Sequence, residues 1–217
     1  FLVPAALLTR FEHPDVRLQV AGVLVGAAFM FFVGMLDDLL HLKPTSKLIG
    51  QIIAACLLVA CGAYFNILGM PLVTVPLTIF WVVGITNAFN LLDNMDGLSA
   101  GVAAIAALTI FALNSVLDID SSIGTVALSF AGALLGFLIY NFNPARIFMG
   151  DAGAMFLGLL LAVTTITVGG RTADQFSGQT YFFFAPLLIP IVILAVPLVD
   201  TAFSFLRRVL RRQSFST

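Results

Sequence analysis

Charge is what this chain has least of. Its 217 residues carry 10 basic and 11 acidic side chains, and the formal net charge is −1. No lysine- and arginine-rich patch is large enough to follow a run of phosphates, which excludes a nucleic-acid partner. Cysteine is nearly absent. Cys56 and Cys61 fall in one apolar run, without CxxC spacing or a neighbouring histidine, and read as inert packing thiols. The two histidines, His13 and His41, lie in expected loops with no second ligand at metal spacing, so neither receives a metal role. No histidine is placed to activate a serine or cysteine nucleophile, and there is no Walker A loop. No low-complexity tract or soluble repeat interrupts the chain.

What is abundant is apolar surface. Hydrophobic residues make up 60% of the chain, and the mean hydropathy is +1.10. A water-soluble domain cannot hide that much, because its outer residues must face solvent. The expectation is therefore an all-α, polytopic integral membrane protein. A span needs about 20 mostly apolar residues. Seven stretches qualify: Val20–Leu36, Leu48–Phe65, Val73–Phe89, Leu98–Leu117, Ile123–Tyr140, Gly153–Val168 and Tyr181–Phe205. The last carries Pro186, Pro190 and Pro197, each of which removes a helical hydrogen bond, so a kink or tilt is expected there. The apolar start at Phe1 reads as the tail of an earlier span. Residues 1–217 are taken as one transmembrane catalytic domain, cut at both edges.

Threading these spans puts the loops at 37–47, 90–97, 141–152 and 206–217 on one side. Lys43, Lys47, Arg146, Arg207, Arg208, Arg211 and Arg212 fall there, and only Arg10, Arg17 and Arg171 on the other. Seven against three assigns the first side to the cytoplasm. That side also collects Asp37, Asp38, Asn87, Asn90, Asp93, Asp96, Asn143 and Asp151. Ionisable groups at span ends are costly when unpaired and usually serve a purpose.

Three motifs carry this polarity. In Gly34-Met-Leu-Asp37-Asp38 the two carboxylates point about 100° apart on a helix, so one can face a ligand while the other accepts a proton or meets Lys47. In Asn87-Ala-Phe-Asn90-Leu-Leu-Asp93-Asn-Met-Asp96-Gly97 the first three polar positions stack on one helical face. Asp96 suits the N-cap of the helix starting at Leu98, yet capping does not account for Asn90 and Asp93. In Asn141-Phe-Asn143-Pro144-Ala-Arg146-Ile-Phe-Met-Gly150-Asp151 the proline ends one helix and Asp151 opens the next. There Asp151 is either an N-cap or a hard oxygen ligand, with Arg146 as a phosphate partner. Carboxylates and amides at a membrane edge, with a few basic groups, fit a Mg²⁺–diphosphate chemistry best.

At these residues the chain resembles the polyprenyl-phosphate N-acetylhexosamine-1-phosphate transferases, glycosyltransferase family 4. The resemblance runs through GMLDDLLHLKPTSKLIGQ, NAFNLLDNMDGLSAG, NFNPARIFMGDAGAMFLG and VPLVDTAFSFLRRVLRR. It is nearest to bacterial members that place N-acetylglucosamine-1-phosphate on undecaprenyl phosphate to start O-antigen, enterobacterial common antigen or teichoic-acid linkage synthesis. The resemblance implies a UDP-sugar and a polyprenyl phosphate as substrates, Mg²⁺ or Mn²⁺ as cofactor, and a site on the cytoplasmic face of the bacterial inner membrane. It implies Asp151 as metal ligand with Asn90, and Asp37 and Asp38 as the catalytic pair beside Asp151. Asp93 and Asp96 fall to the nucleotide side, and Lys47 and Arg146 to the diphosphate. It further implies a glycine-rich loop before Phe1 and a histidine-rich loop after Thr217. Asn94-Met95 departs from the glycine and aliphatic residue usual in the family. Asp200, inside the last span, has no assigned role. Phospho-N-acetylmuramoyl-pentapeptide transfer and, from another class, an ion-coupled transporter remain alternatives. A homodimer is compatible with all of these.

Overall fold

Hydrocarbon offers the backbone no hydrogen bonds, so an apolar run of this length has to satisfy its own amides, and helix is the local solution. The structure, a computed structural model, describes residues 14–65, 71–117 and 121–175, with isolated positions between 191 and 207. Six helices follow one another: α1 (Pro14–Leu40), α2 (Pro44–Ala60), α3 (Pro71–Leu92), α4 (Leu98–Leu117), α5 (Ser121–Asn141) and α6 (Gly150–Gln175). Among the described residues there is no strand. Five of the six are long and apolar enough to cross a bilayer, and α2 is a shorter apolar helix of 17 residues. These six match the first six expected spans, with ends displaced by a few residues. Most of the seventh expected span, including its prolines and Asp200, lies outside the described residues, as do His13 and Arg10.

Helix boundaries follow local chemistry. Pro44 and Pro71 open α2 and α3, where a missing N–H costs nothing. His41 takes a positive φ of 52° just past α1, and its N–H bonds back to the Asp37 carbonyl at 2.8 Å. Those two steps turn the chain from α1 into α2 in three residues.

The centre of the bundle is α6, which packs against α1, α3 and α4; α5 pairs with α4, and α2 bridges α1 and α3. Small residues permit the closest approaches. A Cβ at Gly34 of α1 would lie 2.4 Å from the Asp151 carbonyl oxygen, and one at Gly158 of α6 would lie 2.7 Å from Thr86 Cα. Met30, Leu58, Ile85, Phe89, Met155 and Leu159 fill the interior, whereas Phe32, Phe80, Ile105 and Ile139 are exposed, as expected of a surface solvated by lipid. Trp81 buries its ring against Phe65 and donates its indole N–H to Thr165 Oγ1 at 3.3 Å, tying α3 to α6.

Two sets of contacts mark the two ends of the bundle. At one end Gln19 Nε2 donates to the Gly62 carbonyl at 3.1 Å. At the other the C-terminal ends of α1, α3 and α5 meet the N-terminal ends of α2, α4 and α6, through the bonds described next. Asp37, Asp38, Lys47, Asn90, Asp93, Asp96 and Asp151 all stand at this second end, on the single face expected for them.

Candidate active site

Asp151 is the residue on which three helices converge. It lies one residue inside α6, and its side chain is partly buried. Oδ1 accepts the Asn90 amide N–H from α3 at 2.8 Å. Oδ2 accepts the Lys47 ammonium from α2 at 2.7 Å. The same ammonium forms an ion pair with Asp37 Oδ2 on α1. One lysine thus joins two carboxylates from separate helices.

The neighbouring aspartates of α1 divide as their angular separation predicts. Asp37 is buried, at 4% exposure, and faces Lys47 with one oxygen while the other accepts the Leu42 N–H at 2.8 Å. Asp38 turns to α6. Its Oδ1 accepts the Asp151 N–H at 2.9 Å and its Oδ2 the Ala152 N–H at 3.1 Å. Helix N-termini leave such donors without partners, and a carboxylate there also meets the positive end of the helix dipole. Asp38 is therefore an N-terminal cap supplied from another helix. Gly150 has a φ of +68°, and a Cβ on it would meet Asp38 Oδ2 at 2.9 Å, so glycine suits both the turn and the approach.

Asp93 follows the end of α3. Partial burial, reinforced by the charges of Asp151 and Asp38, pushes its carboxyl up to about 6, against the lowering effect of the Gly150 N–H. With all four carboxyls (Asp37, Asp38, Asp93 and Asp151) ionised, the one ammonium would leave three negative charges in excess here, partly offset by the start of α6.

Asp96 behaves differently from the cap expected of it. Its Oδ2 accepts the Asn143 amide at 3.3 Å and the Ala145 N–H at 3.1 Å, rather than a donor in the first turn of α4. Beside it, buried Asn141 accepts the Gly97 N–H at 3.1 Å and donates to the Ile147 carbonyl at 2.9 Å. Together they staple the α3–α4 turn to the α5–α6 loop. Arg146 stands exposed on that loop, and its backbone N–H bonds to the Tyr140 carbonyl at 2.8 Å.

Two features escaped the sequence reading. Gln51, buried at 1% exposure, pairs with Asn87 across α2 and α3. Its signal was its spacing of four from Lys47. Gly97-Leu-Ser99-Ala-Gly101 has the GxSxG spacing of a nucleophile elbow, but an elbow needs a strand before its helix and a histidine partner. Here α3 precedes α4 and Ser99 is buried at 1% exposure, so it is a packing residue.

The donor set bears on a metal. Among the described residues no three Asp, Glu, His or Cys side chains gather closely enough to hold an ion alone. Mg²⁺ seldom needs that: it is commonly held by one or two carboxylates together with substrate phosphates. Asp37 and Asp151 already share one cation, the Lys47 ammonium. The carboxylate oxygens around the Lys47 ammonium are hard donors of the type that suits Mg²⁺ bound jointly with a phosphate.

A family model described as glycosyl transferase family 4 matches residues 20–169. The chain belongs to that family. It is 36% identical, over 99% of its length, to a probable undecaprenyl-phosphate N-acetylglucosaminyl 1-phosphate transferase of Bacillus subtilis. It is 34% identical, over 86% of its length, to a decaprenyl-phosphate N-acetylglucosaminephosphotransferase of Mycobacterium leprae. A phospho-N-acetylmuramoyl-pentapeptide-transferase of Staphylococcus carnosus shares 33% identity over 69% of the chain. The chain covers 59%, 52% and 53% of these three proteins respectively. Like the family model, the two N-acetylglucosamine relatives take in the α1, α3 and α6 segments that form the site.

Proposed function

We propose that the whole protein transfers N-acetylglucosamine-1-phosphate from UDP-N-acetylglucosamine to undecaprenyl phosphate and releases UMP, on the cytoplasmic face of a bacterial inner membrane. The observation that carries this is the convergence of Asp37, Lys47, Asn90 and Asp151 from four helices at one end of an apolar bundle. A lipid phosphate can reach such a place from the bilayer and a nucleotide from water.

In the reaction an oxygen of the lipid phosphate attacks the β-phosphorus of the sugar nucleotide. The bond from that phosphorus to the bridging oxygen breaks, and UMP departs with the electron pair. A phosphate monoester has a second pKa near about 6, so the nucleophile is largely ionised at neutral pH without a strong base. The protein's task is then to hold charge and line up the reactants. Asp151, seated between Asn90 and Lys47, would hold Mg²⁺, with Asp37 as the second carboxylate in reach of the same cation. When bound, the metal supplies charge neutralisation across the diphosphate. Asn90 orients Asp151, and Asp38 fixes the start of the helix that bears it. Lys47 and the exposed Arg146 are the cations available to the diphosphate, and Asp93 and Asp96 border the nucleotide side.

Full-length protein in detergent, given UDP-N-acetylglucosamine, undecaprenyl phosphate and Mg²⁺, is expected to release UMP. Asp151→Ala should lower that release on the order of a hundredfold, as for other groups that stabilise transition-state charge. Undiminished release would remove Asp151 from the metal site. The muramoyl-pentapeptide reading has the Staphylococcus relative in its favour, and faster turnover of the UDP-muramoyl-pentapeptide donor would select it. A transporter places its charges near the bilayer midplane on broken helices; here, Asp200 apart, the site carboxylates among the described residues cluster at one end. Counterflow uptake without nucleotide turnover would favour the transporter.

A further inference from the structure

One turn below the site, two side-chain amides meet in the interior. Asn87 Nδ2 donates to Gln51 Oε1 at 2.6 Å, and Gln51 Nε2 donates to Asn87 Oδ1 at 3.2 Å. Asn87 Nδ2 also donates to the Val83 carbonyl at 2.8 Å. Gln51 is 1% exposed, between the apolar faces of α2 and α3. Unlike most of the side-chain bonds inside this bundle, which return to a carbonyl of the same helix, this pair is reciprocal and joins two helices.

Its position gives it a consequence. Gln51 follows Lys47 by four residues on α2, and Asn87 precedes Asn90 by three on α3, so each amide lies under a residue of the site on the same helical face. Lys47 and Asn90 grip the two oxygens of one carboxylate, Asp151. Sliding α2 along α3 by one turn displaces them about 5.4 Å and abolishes that grip. Apolar packing between smooth helices resists such sliding weakly, whereas an amide pair in hydrocarbon has no water to replace its partner.

We propose that Gln51 and Asn87 are positioning residues, a polar clasp that sets the register of α2 against α3 and so holds Lys47 and Asn90 on opposite oxygens of Asp151. The catalytic consequence rests on the phosphosugar-transferase reading; the register does not.

The test uses full-length protein and four forms: unaltered, Gln51→Leu, the double change Gln51→Leu with Asn87→Leu, and the exchange Gln51→Asn with Asn87→Gln. The double leucine form leaves no orphaned amide and so keeps the fold accessible. The first readout is acylation of Lys47 by a water-soluble amine reagent, followed by mass spectrometry, with exposed Lys43 as the internal reference. Losing the clasp should raise Lys47 labelling relative to Lys43 about tenfold, the size of coupling seen between contacting residues, and the exchange should restore protection. The second readout is UMP release. Both leucine forms should lose about tenfold in kcat with KM within about twofold, the pattern of a disturbed transition state. Unchanged Lys47 labelling in the double leucine form overturns the clasp, as does a loss confined to the yield of folded protein. If the unaltered protein releases no UMP, the transferase reading fails, while labelling still decides the register.

Discussion

Asp37 and Asp38 are adjacent in sequence yet answer different demands: Asp37 neutralises Lys47 inside the bundle, and Asp38 satisfies two N–H groups at the start of α6. Asp93 has no ion pair among the described residues; the Gly150 N–H at the start of α6 favours its ionised form, but burial outweighs that bond. Its carboxyl is raised from 3.8 to about 6 by burial and by the charges of Asp151 and Asp38. The sign follows from linkage. A carboxyl with a higher pKa folded than unfolded binds a proton preferentially in the folded state between those two values, so its contribution is full below about pH 4 and is lost as pH rises through about 6. Thermal unfolding in detergent without divalent ions, compared at pH 5 and pH 7.5, should show this loss in the unaltered protein. Asp93→Asn should flatten the difference between the two pH values. An equal pH dependence in both proteins would mean that Asp93 lies in a more solvated place than the structure gives it.

At the scale of elements, the interface of α1 with α6 is where packing and chemistry coincide. A Cβ on Gly34 would sit 2.4 Å from the Asp151 carbonyl oxygen and 2.5 Å from Ala152 Cα, both backbone atoms that cannot rotate aside. Gly34→Ala must therefore separate the helices, at about 1–3 kcal/mol for overpacking, and it carries the Asp38 cap away from α6. Gly101 on α4 has nothing within 4 Å of its Cβ position. There the same change should stabilise by about 0.5–1 kcal/mol, because alanine is the better helix former. Unfolding by denaturing detergent measures the two opposite signs, and only Gly34→Ala should lower UMP release. The sequence made the helices legible because in lipid an apolar run has few alternatives, and it put the acidic clusters on one face through the alternation of spans. Pairings were less legible. Asp38 caps a helix that begins 112 residues later, and the bonds of Asp96 run 47 and 49 residues onward. Local rules sought their partners within the next turn. Asn90 and Lys47 were recognisable as polar groups at span ends, but their common partner required the packing of α1 and α3 on α6, with α2 set between α1 and α3. Gln51 went unread because its spacing of four from Lys47 carries no meaning until Asn87 is set against it.

For the molecule as a whole, the site exists only if the turns joining α1 to α2, α3 to α4 and α5 to α6 lie on one side of the membrane. The bond from the Ala145 N–H to Asp96, together with Asn141 on the Gly97 N–H, makes the last two turns one surface. The Gln19–Gly62 bond places the α2–α3 connection at the far end. On the threading expected from the sequence, seven of the ten basic residues fall in loops on the side of the site, and the positive-inside rule is what supports the proposed cytoplasmic orientation. Single cysteines in a background lacking Cys56 and Cys61 test both statements together. Met95→Cys and Phe148→Cys, exposed on the two site loops, should react with a membrane-impermeant maleimide in inside-out vesicles and stay silent in intact cells. Tyr64→Cys, exposed near the opposite end, should show the reverse. If all three reversed together, the cluster would stand intact but face away from a cytoplasmic nucleotide. If Met95→Cys and Phe148→Cys reacted from different sides, no arrangement of six helices could bring Asn90 to Asp151, and the transferase reading would lose its ground.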